Sequence, residues 1–520
     1  MRRSPAWITA IVAALVVIHT PALGSPEVSK ARLISDLAYP ATVLIYCRVD
    51  GLVDTPDYEI QASIAVIGSG FFVNPNGYIV TNGHVVFAVD NNDPLQDSVV
   101  RYYLLYNAFE ALVEYFQEQG YALSEEDVQM IYDYVMRHGE VKSVTLNVWV
   151  ILGEVKGADI EAKGIKARIV AKSPFIEKDI ALLKIDLENT PTLLLGDSSE
   201  VKVGDEIYAI GYPGVVVFHE MLSPETMLVP SLTRGIISAF RRTISDTPAL
   251  QTDAAVTHGN SGGPALNSEG EVIGVVNMGS VDPNEMIKVA GFNFLVPSNL
   301  VRDFLRENGV ENKGGPVDEL YLRALALYYA KCYDSAIREF KRVLELFPYH
   351  WYVKKLMADA QNALARGERA RSSVNVTVPA GEVEYGSEVV VSGTVRVVHE
   401  APLPLDYKFT GASVKIIYVK PGGEEVAHVV PLSADGTFND AIEVREEGEW
   451  RVEVVWEGNA DMEGASSTAS FRVSPLPLNI TFIAAAAAAV VAVIALIAIL
   501  VKRRRARPPP PPIPPPPATP

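Results

Sequence analysis

Residues 480–501 are apolar apart from Thr481, and the basic string KRRRAR follows at once. A helix of that length, rising 1.5 Å per residue, crosses the ~30 Å hydrocarbon core of a bilayer. The run is therefore read as a membrane span. Positive-inside asymmetry assigns residues 502–520 to the cytoplasm and the long stretch before the span to the outside. The other end agrees. Residues 1–24 carry Arg2 and Arg3, an apolar run over 6–18, and small residues at Ala22 and Gly24, the pattern of a secretory signal cleaved before Ser25. An uncleaved signal, the alternative, holds Arg2 and Arg3 inside and leaves the same domains outside. The expectation is a single-pass protein of the cell membrane, extracytoplasmic from residue 25 to about 477.

At 520 residues the chain exceeds what one core supports, so several domains are expected. A net charge of −18 with no basic stripe in the soluble part excludes nucleic acid as the main partner. Cys47 and Cys332 fall in different predicted domains and form no disulfide framework. Residues 31–306 alternate short β-branched runs with Gly, Asn and Asp turns, the signature of a β-barrel or sandwich. Residues 317–367 read as helix. Alternation returns over 373–474, in EVVVSGTVRVV and WRVEVVWEG, and predicts a second all-β domain, an Ig-like β-sandwich without the cysteine pair of antibody domains. Residues 508–520 are nearly all proline and predict an extended, solvated tail.

The stretch TDAAVTHGNSGGPAL sets Ser261 between Asn260 and two glycines. Glycines at 259, 262 and 263 suit a polar turn and an oxyanion site equally, so the stretch alone leaves both open. A serine hydroxyl becomes a nucleophile only with a base and a carboxylate that orients it. YIVTNGHVV places His84 just after a strand, and KDIALLKID places Asp179 at the start of one. Singly, each is an ordinary turn or strand-flanking residue. The order His, Asp, Ser, with GSGFFV before the histidine and GNSGGP around the serine, resembles the trypsin-like serine proteases and in particular the HtrA/DegP family, over about residues 39–305.

That resemblance implies a mainly β fold, a trypsin-like double β-barrel protease domain over 25–312. It implies that Ser261 is the nucleophile, His84 the general base and Asp179 the residue that fixes the imidazole tautomer. The N–H groups of Gly259 and Ser261 form the oxyanion hole, and Ala255 takes the floor of the S1 pocket, which then prefers a small or medium apolar side chain. Residues 233–242 and 291–301 match the family's later strands and activation loops. His258 is read as an exposed turn residue, with an influence on the oxyanion loop or S1 as the alternative. The GSG at 68–70 lacks the third glycine of a dinucleotide fingerprint. No cofactor and no metal are expected.

Two departures from the family stand out. An insertion over about 97–139 carries Leu104, Ala108, Leu112 and Phe116 at helical spacing, then Val128, Ile131, Tyr132 and Val135 after a Ser124/Asp127 capping box, so it predicts two amphipathic helices. Passive decoration is the favoured reading, with screening of the active site or subunit association as alternatives. No PDZ domain follows the protease. Residues 317–350 instead resemble one tetratricopeptide repeat, with Ala324, Leu327, Tyr333, Ala336, Phe340 and Pro348 at the usual places, and 351–365 read as another helix, so that 317–367 form a helical, tetratricopeptide-like module. One repeat cannot bury its own apolar face, so it must pack on the protease, on another subunit of a homo-oligomer or on a partner. The expected function is a membrane-anchored extracytoplasmic serine endopeptidase acting on unfolded or damaged envelope polypeptides. The competing reading is an HtrA-like holdase or envelope interaction scaffold with little proteolysis.

Overall fold

A computed structural model describes residues 28–86, 94–153, 160–174, 177–217, 229–281, 288–399, 403–475 and 480–505. Segment 1–24, read from the sequence as a secretory signal, and the proline-rich tail lie outside the described residues. Strands β1 (Thr42–Asp54), β2 (Glu59–Asn74), β3 (Tyr78–Thr81), β4 (Glu140–Ile151), β5 (Ile165–Lys172) and β6 (Ala181–Lys184) close one barrel in the order β1-β2-β3-β6-β5-β4. A second barrel, in the order β10-β11-β12-β9-β8-β7, is built from β7 (Glu206–Gly211), β8 (Ser231–Arg242), β9 (Pro248–Thr252), β10 (Pro264–Leu266), β11 (Val272–Val281) and β12 (Lys288–Pro297). This is the double barrel that the resemblance implies.

The strand period of two divides the apolar residues between three cores. Phe72, Ile79 and Leu183 fill the first barrel, while their neighbours Phe71, Val80 and Leu182 point the other way. Ile207 and Ala209 fill the second barrel, while Tyr208 and Ile210 join Phe71, Val80 and Leu182 in a shared core between the barrels. Helix α1 (Lys30–Ala38) adds Ile34 to that core, and a helix after β12, Ser298–Glu307, adds Val301, Phe304 and Leu305.

Between β3 and β4 the chain forms α2 (Pro94–Glu118) and α3 (Glu125–His138). Val100, Leu104, Ala108 and Leu112 of α2 and Val135 of α3 are buried with Val49, Val53, Ile60 and Ala62, so the pair seats on the distal ends of β1 and β2. Ser124 Oγ accepts the Asp127 N–H at 3.2 Å, and Asp127 Oδ2 accepts the Ser124 N–H at 2.8 Å, closing the capping box.

The helix after β12 is α4, and three more follow: α5 (Pro316–Tyr329), α6 (Tyr333–Leu346) and α7 (Trp351–Ala365). The helices and the segment leading into them are joined to the barrels by partly buried polar contacts. Asn312 donates from Nδ2 to the carbonyls of Val73 and Leu193, both at 2.9 Å, and accepts the Leu195 N–H at 2.8 Å. Asp318 accepts the Gly315 N–H at 2.7 Å and the Thr192 N–H at 2.8 Å. Burial pushes the Asp318 carboxyl up to about 7. On α1, the Asp36 carboxylate receives the hydroxyls of Tyr329 and Tyr352.

The described residues within 372–396, 408–457 and 464–520 make a separate unit. Its strands are β13 (Arg371–Thr377), β14 (Glu382–Val383), β15 (Glu388–Val398), β16 (Ser413–Val419), β17 (Glu425–Pro431), β18 (Thr437–Glu443), β19 (Gly448–Trp456) and β20 (Ala465–Val473). They form a three-stranded sheet, β13-β15-β18, and a five-stranded sheet, β14-β20-β19-β16-β17. Val391, Tyr418, Trp450 and Val452 are buried there, as alternation along each strand requires. Helix α8 (Ile480–Arg505) ends the unit. Its segment Ala484–Arg503 has a mean hydropathy of 3.0 and none of it is buried, so by length and composition it can cross a membrane.

Candidate active site

His84 sits on a 3-10 turn, Gly83–Val85, directly after β3. Asp179 precedes β6, the neighbour of β3 in the first barrel, so the sheet brings the two together. The Asp179 side chain is buried and takes two bonds from one residue: Oδ2 lies 2.7 Å from His84 Nδ1, and Oδ1 accepts the His84 backbone N–H at 2.9 Å. Ring and backbone of the histidine are thus both fixed. Asn82 Nδ2 donates to the Asp179 carbonyl at 2.9 Å. Asp179 has φ of +51°, a left-handed conformation that costs a non-glycine residue roughly 1–2 kcal/mol and persists because these contacts over-determine it.

Ser261 lies on the turn between β9 and β10, in the second barrel. Gly259 and Gly262 have φ of +95° and +87°, so the turn needs glycine at both positions. Space demands it as well. A Cβ on Gly262 would stand 2.1 Å from the Ser69 carbonyl oxygen, 2.2 Å from Thr81 Oγ1 and 3.1 Å from Asn82 N. The serine turn therefore abuts the end of β3, next to the segment that carries His84. The Ser261 hydroxyl donates to the Asn277 carbonyl at 2.5 Å.

The turn is held by backbone bonds to distant residues. The Ser69 N–H donates to the Ser261 carbonyl at 2.7 Å, the Gly262 N–H to the Val276 carbonyl at 2.8 Å, and the Gly214 N–H to the His258 carbonyl at 2.6 Å. Among the described hydrogen bonds, neither the Gly259 nor the Ser261 N–H has an acceptor. Two donors bracketing a serine and left open are what a developing oxyanion requires. His258 is exposed, and so is Ala255 on the same connection.

Sequence reasoning missed Ser69, Gly214 and Asn277. GSG entered only as part of the GSGFFV motif and as a discarded nucleotide-binding fragment, and the bonds of Ser69 and Asn277 to Ser261 and of Gly214 to His258 are not displayed by any local pattern. No cluster of three or more metal-binding side chains occurs among the described residues.

Residues 68–275 match the trypsin-like peptidase domain family. A probable periplasmic serine endoprotease, DegP-like, of Pseudomonas putida is 36% identical over 266 residues, which cover 50% of this chain and 39% of that one. Its namesake in Halomonas elongata is 33% identical over 201 residues, covering 38% and 36% of the two chains. Serine protease HTRA1A of Danio rerio is 41% identical over 131 residues, 25% of each chain. The chain thus spans well under half the length of these curated relatives. A solved HtrA-type protease, AlgW with a decapeptide, shares 22% identity over 54% of this chain and 67% of that one, at a TM-score of 0.33.

Proposed function

We propose that the chain, whose residues 68–275 match the trypsin-like peptidase domain family and which is similar to DegP-like serine endoproteases, is a membrane-anchored endopeptidase working outside the cytoplasm. The observation that carries the proposal is the His84–Asp179 pair beside a serine turn in which the Gly259 and Ser261 N–H groups have no acceptor among the described hydrogen bonds.

Asp179 accepts the Nδ1 proton, which leaves Nε2 of His84 as the basic nitrogen. As Ser261 Oγ attacks the scissile carbonyl, its proton passes to Nε2 instead of the Asn277 carbonyl. The carbonyl oxygen becomes an oxyanion and receives the N–H groups of Gly259 and Ser261. His84 then returns the proton to the leaving amine. Water, deprotonated by the same histidine, releases the acyl group and restores Ser261.

Unfolded or damaged envelope polypeptides are the proposed substrates, with a small or medium apolar residue at P1. Ala255 offers no charge there, and an unpaired lysine or arginine would be costly to bury. Residues 317–367 are read as a tetratricopeptide-like module, 373–474 as an Ig-like stalk and 480–501 as the anchor. Arg503, Arg504 and Arg505, each costing about 2.5–3.5 kcal/mol at a bilayer centre, hold the tail in the cytoplasm.

The test compares the full chain with Ser261→Ala on a permanently unfolded polypeptide. Cleavage by the unaltered chain, lost in the variant while its melting temperature holds, is expected. Equal cleavage by both would remove Ser261 from the chemistry, and no cleavage by either would leave the holdase reading.

A further inference from the structure

We propose that Ser69 is a positioning residue for the reaction: its hydroxyl locks the peptide planes of the oxyanion turn, and its backbone ties that turn to the histidine segment. The inference rests on the reading of Ser261 as nucleophile. Every polar group of Ser69 is engaged, and all of them act on the site. Its N–H donates to the Ser261 carbonyl at 2.7 Å. Its hydroxyl donates to the Gly259 carbonyl at 2.7 Å and accepts the Tyr212 N–H at 2.9 Å. Its carbonyl accepts the hydroxyl of Thr81, just before the His84 turn, at 2.7 Å.

The geometry explains why this matters to the chemistry. Gly259 has the freest backbone in the turn, and its N–H aims correctly only if the peptides on both sides of it are fixed. The Gly214 N–H holds the peptide before it, through the His258 carbonyl. The Ser69 hydroxyl holds the peptide after it, through the Gly259 carbonyl. The Ser69 N–H then holds the Ser261 carbonyl, so both ends of the 259–261 segment are anchored to one residue of β2. Ser69 itself has no room to move. It is fully buried, and a Cβ on neighbouring Gly211 would lie 2.8 Å from its hydroxyl oxygen.

An oxyanion donor acts on the transition state more than on the bound substrate, so a residue that aims it affects kcat and leaves KM nearly unchanged. In the full chain, Ser69→Ala is expected to lower kcat per active site, counted by fluorophosphonate titration, by about tenfold to a hundredfold, below the ~10²–10³ of losing a donor outright. KM on a fluorogenic peptide with valine at P1 should change less than about twofold. A peptide boronate, whose tetrahedral adduct fills the oxyanion hole, should lose affinity in proportion to kcat, while the product peptide should not. Ser69→Cys keeps the volume and exchanges the O–H for a weak S–H donor. It should fall between the two, and serves if the alanine variant fails to fold. An unchanged kcat per titrated site in either folded variant, with only a lower melting temperature or a smaller active fraction, would overturn the inference. An unaltered chain that neither turns over substrate nor takes the label would instead overturn the protease reading and this inference together.

Discussion

The serine turn and the α2–α3 hairpin are both excursions from the barrels, and they are held in place by opposite means. The hairpin rests on side chains: Leu104 alone is buried against Gly51, where a Cβ would come within 2.8 Å of it. The turn rests on hydrogen bonds to its backbone groups, one of them from the Ser69 hydroxyl, and on glycines that leave no room for a side chain. Apolar packing tolerates repacking and its losses scale with volume, whereas a donor array loses function when one peptide rotates. Substitutions in the two regions should therefore separate catalysis from stability.

The largest effect is expected at the carboxylate that orients the base. Asp179→Asn keeps the volume and removes the negative acceptor for His84 Nδ1, so kcat should fall by about 10⁴ with the fold intact. A loss under tenfold would show that the pair does not serve the chemistry. Gly262→Ala tests the turn itself. The added methyl overlaps the Ser69 carbonyl at a positive φ, and displacement of the turn by a fraction of an ångström should lower kcat/KM by about 10²-fold. Wild-type kinetics there would mean that the turn is not tightly held.

Leu104→Ala probes the other side of the comparison. Unfolding of the catalytic domain should become about 2–5 kcal/mol easier, while kcat/KM at a temperature where the variant is folded stays within about twofold. A loss of activity without a loss of stability would reverse the comparison and make the hairpin part of the site.

A change in slope with pH, with kcat untouched, is expected at Asp318, whose carboxyl is raised to about 7 by burial. A raised carboxyl pKa means that the folded state holds a proton the unfolded chain has released. Its contribution is therefore full below about pH 4 and is lost as pH rises to about 7, at up to about 1.4 kcal/mol per pH unit. Denaturant unfolding of Asp318→Asn should show a flatter dependence across that window than the unaltered chain. The same slope in both would mean that Asp318 does not titrate in the fold.

What the sequence displays follows the same division. Helical spacing in the hairpin, the Ser124 cap, the apolar run of α8 and the two-residue alternation of the barrels are local patterns, and they are legible because each is set by neighbours in the chain. His84, Asp179 and Ser261 were legible through short motifs in a known order. The clamp at Ser69 was not, because its partners Thr81, Tyr212, Gly259 and Ser261 converge only when both barrels close. Nor were the bonds from Tyr329 and Tyr352 to Asp36, which reach from helices late in the domain to its first helix. Nothing in the spacing of tyrosines announces a shared carboxylate.

The central claim is that Ser261 is an activated nucleophile. Incubation of the full chain with a fluorophosphonate probe, followed by mass mapping of the adduct, tests it most directly. A single adduct on Ser261, slowed at least about 10³-fold in His84→Ala, is the predicted result. Labelling that is absent from Ser261, or equally fast without His84, would contradict it.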